Sequence, residues 1–343
     1  MFSANAAQFY RAPSRAIAIA HETSPYITAY PWSAAGFGAK YTNPSTLPAG
    51  NGHGVAFSPD GSAIAVAHDS SPRITAYPWS SSGFGTKYAD PAAIPPNDCF
   101  CVAFSPTGSA IAVGHQTSPY ITAYAWSTAG FGAKYTNPAT LPTGLVFGVT
   151  FNSDGSAIAI SNDTSPYVAA YLWSGSGFGT KYADPVTLPP GTGNGVSFSS
   201  DRSAIAVAHG VSPYITAYAW TGAGFGTKYA DPATLPTGTG TEVSFSPDGY
   251  AVAVSFGSSP YISVYPWSSS GFGTKYANPA TLPIGTALGV SFNSDGSAIA
   301  LAHGGSPHIT TYRWSNSGFG AKYSDPATSP TGTGRSVAWS TVG

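Results

Sequence analysis

Charged residues are scarce in this chain of 343 residues: Asp, Glu, Lys and Arg make up 8 % of it, and the formal net charge is −1. A chain without a basic field has little attraction for nucleic acid or for an anionic membrane surface. We therefore expect neither as a partner. Because 42 % of the residues are hydrophobic and 14 % aromatic, the low charge does not indicate disorder, and the chain can build packed cores.

Cysteine is also scarce, with Cys99 and Cys101 as the two examples. Their spacing matches neither a zinc pair nor a C-x-x-C redox motif. In a strand, residues two apart share a face, so we interpret both as small buried hydrophobes. No cofactor and no metal site is predicted.

Long apolar runs and familiar catalytic motifs are missing. The longest apolar runs are about six residues, far short of a membrane span, and the stretch from Met1 to Ser14 lacks the basic and apolar regions of a signal peptide. No G-x-S-x-G, H-E-x-x-H or P-loop sequence occurs. The sequence thus predicts a protein that is not an enzyme, and it leaves the localisation open, with a virion surface as one alternative.

What dominates the sequence is a repeat of 47 residues. A Trp marks each copy: Trp32, Trp79, Trp126, Trp173, Trp220, Trp267 and Trp314. Self-similarity at a fixed period of this size is typical of solenoids, propellers and arrays. Gly and Pro, at 41 and 30 residues, interrupt the chain too often for helices.

Each copy contains four short strand patterns, which we letter A to D. In the second copy they are Val55 to Ser58, Ser62 to His68, Arg73 to Trp79 and Phe84 to Tyr88. Turn residues such as Pro, Asp, Ser and Gly separate them. Strand B alternates small and large apolar residues, so both of its faces should be buried, the bulky face of one sheet against the small face of the next.

Seven units of four antiparallel strands predict an all-β fold, a seven-bladed β-propeller, over residues 14–343, with an N-terminal segment at 1–13. The first unit opens on strand B, so strand A of blade 1 must come from elsewhere. Both Ala7 to Tyr10 and Arg335 to Ser340 fit its pattern. We favour the C-terminal segment, which would close the ring.

The run Phe57-Ser-Pro-Asp-Gly61, followed by an apolar strand and a strand that ends in aromatic residues, resembles WD40 and YVTN-type propeller repeats. Trp-Ser replaces Trp-Asp, and a Gly-His dipeptide does not open each unit, so the buried hydrogen-bond network of WD40 blades is not carried over. The motif GFGxKYxxPxxLP is similar to repeats in proteins encoded by tailed bacteriophages and their prophages. That resemblance implies a virion component.

Two repeated residue types carry the predicted ligand site. Strand B ends in His, and a Tyr follows after Ser-Pro, in most copies: His21, His68, His115, His209, His303, Tyr26, Tyr120, Tyr167, Tyr214 and Tyr261. His53 is assigned to a D–A loop on the same face. Sugar rings stack on aromatic faces, and His both donates and accepts hydrogen bonds. A structural role for both series, His bonded to a loop and Tyr covering a blade edge, is the alternative.

The sequence therefore predicts a non-enzymatic binding propeller that recognises glycans or a host surface through several equal sites, which add avidity. The alternative is a scaffold of a virion or other assembly that binds protein partners. Departures from the repeat look scattered along the chain and do not indicate one catalytic centre: Phe256, Asn162, Cys99 to Cys101 and Glu242.

Overall fold

The computed structural model describes residues 15–340. It contains seven four-stranded antiparallel sheets, whose A strands contact one another around a central channel. The predicted seven-bladed β-propeller is confirmed. The segment 1–13 and the candidate strand Ala7 to Tyr10 lie outside the described residues. No helix within residues 15–340 is long and apolar enough to cross a membrane.

The strands of each blade are lettered from the channel outward, and their bounds are given for blades 1 to 7. Strands A are Gly334–Ser340, Gly52–Phe57, Cys99–Phe104, Val146–Phe151, Gly193–Phe198, Gly240–Phe245 and Ala287–Phe292. Strands B are Ala16–His21, Ala63–His68, Ala110–His115, Ala157–Asn162, Ala204–His209, Ala251–Phe256 and Ala298–His303. Strands C are Ile27–Ser33, Ile74–Ser80, Ile121–Ser127, Val168–Ser174, Ile215–Thr221, Ile262–Ser268 and Ile309–Ser315. Strands D are Gly36–Phe37, Gly83–Phe84, Gly130–Lys134, Gly177–Lys181, Gly224–Lys228, Gly271–Phe272 and Gly318–Lys322.

The C-terminal strand closes the ring. Gly334–Ser340 pairs antiparallel with Ala16–His21, which sets Val337 opposite Ile19 and Trp339 opposite Ile17. The preference for this segment over the N-terminal one is confirmed. Every blade thereby has four strands, and the ring has no open end that would need a polar cap.

Small residues of one blade pack against large residues of the next. The alanines of blade 2, Ala63, Ala65 and Ala67, lie in one buried cluster with Ile111 and Val113 of blade 3. This arrangement was expected from the alternation in strand B. Because the alanines have short side chains, two sheets approach closely without leaving voids, as dense core packing requires.

An aromatic cluster and a hydrogen bond tie each blade to its predecessor. The Trp79 ring lies 5.0–5.1 Å, edge to face, from Phe57 and Phe84 of its own blade and Tyr41 of blade 1. Such contacts add to the stabilisation from burial. The fully buried Tyr77 donates from its hydroxyl to the carbonyl oxygen of Thr46, 2.7 Å away in the loop that leaves blade 1.

Proline on strand C determines the length of strand D. Blades 1, 2 and 6 carry Pro31, Pro78 and Pro266 and have strands D of two residues, whereas the other four blades have strands D of five. The carbonyl oxygen of Pro31 still accepts from Gly38 N at 2.8 Å. Proline has no N–H for the second bond of that pair, so pairing with strand D stops there.

We predict that Tyr77→Phe destabilises the protein by about 1 kcal/mol, since the hydrogen bond to the Thr46 carbonyl oxygen is lost. Equivalent bonds of 2.6–2.8 Å occur in five other blades. In blade 4 the hydroxyl of Tyr171 has no hydrogen-bond partner among the described residues, so Tyr171→Phe is the matched control. Urea unfolding of both variants measures the difference, and equal stability would show that the bond contributes nothing.

Candidate functional site

The five predicted histidines lie inside the blades. All are fully buried, and each imidazole Nε2 lies 2.8–3.0 Å from a strand C threonine Oγ1. The pairs are His21 with Thr28, His68 with Thr75, His115 with Thr122, His209 with Thr216 and His303 with Thr310. Burial lowers the pKa of each imidazole to about 4. These neutral rings link strand B to strand C, and ligand contact by them stays a prediction.

Blade 4 replaces this pair as a unit. Asn162 stands at the histidine position, Ala169 at the threonine position, and the Asn162 Nδ2 donates instead to Thr143 Oγ1 at 2.7 Å. The coordinated change indicates that the position serves the interior of the blade, where buried polar groups need partners.

The predicted tyrosines are half-buried in the B–C turns. All five have positive φ of 66–69°, and Arg73 and His308 share this conformation in the remaining blades. Non-glycine residues rarely adopt it. Two backbone hydrogen bonds hold the turn of blade 1: Tyr26 N donates to Thr23 O at 2.8 Å, and His21 N donates to Tyr26 O at 3.0 Å. The side chains are thus presented in a fixed way on one face.

His53 lies in a different part of the blade from the five histidines that end strand B. The sequence assigned it to a D–A loop, but it is the second residue of the strand Gly52–Phe57 and lines the channel. The ladder is bulged there, since Gly52 pairs with His68 while Gly54 pairs with Ala67. A bulge leaves one residue unpaired and redirects its side chain.

The cavity at this end of the channel has a volume of about 590 Å³. The second position of strand A holds six residue types in the seven blades; in the order of blades 1 to 7 the residues are Arg335, His53, Phe100, Phe147, Asn194, Thr241 and Leu288. In contrast, strand B begins Ala-Val-Ala in blade 6 and Ala-Ile-Ala in the other six blades. The repeat therefore diverges where its copies meet around the channel.

Glu242 follows the bulge in blade 6 and lines the same cavity. A Cβ atom at Gly195 of blade 5 would lie 2.5 Å from Glu242 Oε1, so the glycine makes room for the carboxyl group. Oε1 accepts from the backbone N–H of Val243 at 2.9 Å. Desolvation raises the pKa of this carboxyl to about 8, and groups with such shifts are common at functional sites.

Arg335 and His53 lie beside each other at the mouth of the channel. Arg335 is ion-paired with Glu22. Desolvation of the His53 imidazole is the main cause that lowers its pKa, and the positive charge of Arg335 lowers it further. His53, Arg335 and Glu242 thus line one cavity, so Glu242 is not one of several scattered departures from the repeat, as its place in the sequence suggests. Comparison of the seven copies position by position could have found them.

The cysteines do not supply a reactive thiol. Cys99 is fully buried, and Cys101 lies between blades, where Gly114 leaves space for its sulfur. Burial raises the pKa of both thiols, and a protonated thiol is a poor nucleophile. Residues 15–340 contain no cluster of three His, Cys, Asp or Glu that could hold a metal ion.

The fold is shared with known propellers. The chain superimposes on a putative 6-phosphogluconolactonase from Bacteroides fragilis with a TM-score of 0.73, 12 % identity and coverage of 98 % of this chain and 99 % of that one. For a putative 6-phosphogluconolactonase from Bacteroides uniformis the TM-score is 0.71 and the identity 14 %, with coverage of 95 % of this chain and 99 % of that one. For hydrazine synthase from Kuenenia stuttgartiensis the TM-score is 0.64 and the identity 12 %, with coverage of 84 % of this chain and 89 % of that one. No protein-family model matches the chain, and no curated protein has a similar sequence.

These similarities correct one expectation. The prediction that the protein is not an enzyme is contradicted, because propellers of the same architecture and length include proteins described as putative lactonases. Missing catalytic motifs therefore do not exclude an enzyme on this fold. At 12–14 % identity the likeness shows the fold and transfers no activity. The resemblance to phage proteins is not tested by these similarities and stays a prediction.

The buried histidines predict loss of stability in acid. Their pKa is about 6.5 unfolded and about 4 folded, so the unfolded chain binds more protons between these values. The contribution of the histidines to the free energy of unfolding is complete above pH 6.5 and is lost as the pH falls toward 4. Glu242, with its raised pKa, acts oppositely, and its contribution is lost as the pH rises from about 4.5 toward 8.

Blade 1 offers a test, because Thr331 stands where Thr143 stands in blade 4. The double variant His21→Asn with Thr28→Ala recreates the Asn162 arrangement. The slope of unfolding free energy against pH reports how many more protons the unfolded state binds than the folded state. We expect this number, measured near pH 5, to fall by about one in the double variant. Thr28→Ala alone is the control, since it keeps the imidazole. An unchanged slope in the double variant would contradict the assignment.

Proposed function

We propose that the protein binds a small molecule at the His53 end of its central channel and hydrolyses it with Glu242 as the acid–base group. One observation carries the proposal: seven nearly identical repeats present different side chains at this cavity. Equal copies cannot surround a ligand with different groups, so a single asymmetric site requires divergence there. Concave cavities with a few convergent polar groups and a shifted pKa are the usual places for ligands.

A lactone is the substrate class to test first, because two propellers of this shape are described as putative lactonases. In the carboxylate form, Glu242 would accept a proton from water while the water oxygen attacks the lactone carbonyl. The ring C–O bond then breaks, and the ring oxygen takes up the proton as the hydroxy acid forms. A base with a pKa near 8 is suited to such transfers near neutral pH.

We expect ring opening of glucono-δ-lactone to rise with pH through about 8, because the carboxylate of Glu242 forms over that range. Glu242→Gln should lower the rate by at least about a hundredfold, the usual contribution of a general base. Asp248→Asn removes a carboxylate from a distant A–B turn and should leave the rate unchanged. Proton release in a pH-stat, corrected for spontaneous hydrolysis, measures the rate of ring opening by the unaltered protein and by the two variants. Full activity of the Gln variant would contradict the proposed role of Glu242 as the general base.

A second candidate function is multivalent glycan binding at the B–C turns. It is supported by the half-exposed tyrosines, which are held on one face in the same backbone conformation. Several weak sites on a rigid body raise the overall affinity. A scaffold role in a virion, with protein partners, is the remaining alternative for this face.

A glycan array followed by titration calorimetry tests this second candidate, and we expect several sites per chain. Replacing Tyr26, Tyr120, Tyr167, Tyr214 and Tyr261 by His should abolish binding. The fold should persist, because His308 already occupies the same conformation in blade 7. Binding that survives the five substitutions would contradict a tyrosine site, and the absence of any sugar ligand would favour the scaffold.

A further inference from the structure

One side of the channel mouth is an aromatic arc formed by three successive blades. The ring of Phe100 lies 5.3 Å from the ring of His53 and 5.6 Å from that of Phe147, with interplanar angles of 55° and 56°. All three side chains are partly exposed in the cavity. None of the three belongs to the buried clusters around the Trp residues that join the blades.

The following blades line the cavity with polar groups. Asn194 Nδ2 donates to Gly240 O at 2.7 Å, and Thr241 Oγ1 donates to Ala287 O at 2.8 Å. Both side chains are thereby fixed along the wall next to Glu242. The cavity has an apolar aromatic side and a hydrogen-bonding side, and a complementary ligand needs one apolar face and one polar edge.

The charges at the mouth disfavour an anionic ligand. Arg335 is the only Lys or Arg among the described residues that line the cavity, and its guanidinium is already paired with Glu22. Besides Glu22, the carboxylates of Asp69 and Asp98 lie close enough to raise the pKa of His53, and Asp98 is ion-paired with Arg73. A phosphate group would leave water without gaining an unpaired cation, which is costly.

We propose that this site takes an uncharged, six-membered oxygen-containing ring, such as an unphosphorylated sugar lactone. Its C–H face stacks on Phe100 and Phe147, and its hydroxyl edge contacts Asn194 and Glu242. The inference rests on the proposed function for the location of the site. It departs from the phosphorylated substrate class that the names of the similar propellers imply.

Binding of a ring that cannot be hydrolysed separates this inference from hydrolysis itself. The probes are glucono-δ-lactam and its 6-phosphate, titrated against the full chain by calorimetry. We expect the neutral lactam to bind at least tenfold more tightly than the phosphate. Phe100→Leu and Phe147→Leu should each weaken binding roughly three- to tenfold, the range of an aromatic contact.

The Leu variants keep an apolar side chain, and Leu288 occupies the same repeat position in blade 7, so they should fold. Leu172→Ala, which removes apolar bulk from an exposed position on strand C of blade 4 outside the cavity, should change affinity less than twofold. Tighter binding of the phosphate, unchanged affinity in both Phe variants, or no binding of either lactam would each overturn the inference. Lactam binding without lactone turnover would support the inference and refute the proposed hydrolysis.

Discussion

The structure depends on the contact between a small face and a large face at every blade interface. Alanines of strand B, such as Ala63 and Ala65, accept the branched side chains of the next blade, and Trp79 with its aromatic neighbours seals the outer part of that interface. Each sheet is apolar on both sides, so no blade can be stable with a neighbour missing. Ring closure by Gly334–Ser340 is therefore a condition for the whole fold.

This constraint explains where the sequence is free to vary. A substitution in strand B or strand C alters an interface that all seven blades share, and a change in volume there is felt by two sheets at once. The bulged residue of strand A is outside that interface, because the bulge directs its side chain away from the ladder. The chain can therefore place His, Phe, Asn, Thr, Leu and Arg around one cavity without disturbing the ring.

Most of the fold could be predicted from the sequence, because the period of Trp32, Trp79 and their equivalents, with turn residues between short strands, is a local signal repeated seven times. The candidate site could not. Side-chain alternation does not reveal a bulge, which is a feature of backbone register, so His53 was assigned to a loop. The sequence also left the five histidines open between a ligand site and a structural role, since a polar residue at a strand end fits both a surface site and the interior bond that His68 makes with Thr75.

The two proposed functions place opposite demands on a repeat. Avidity needs equal copies, and the B–C turns are nearly equal, with Tyr in five blades and the same backbone conformation in all seven. Catalysis needs unequal copies, because acid, base and binding groups must differ around one substrate. The channel mouth meets that second demand with Glu242, His53 and Arg335 on three different blades. One scaffold can satisfy both, since the turns and the bulges vary independently, and a ligand in the channel need not compete with one at the turns.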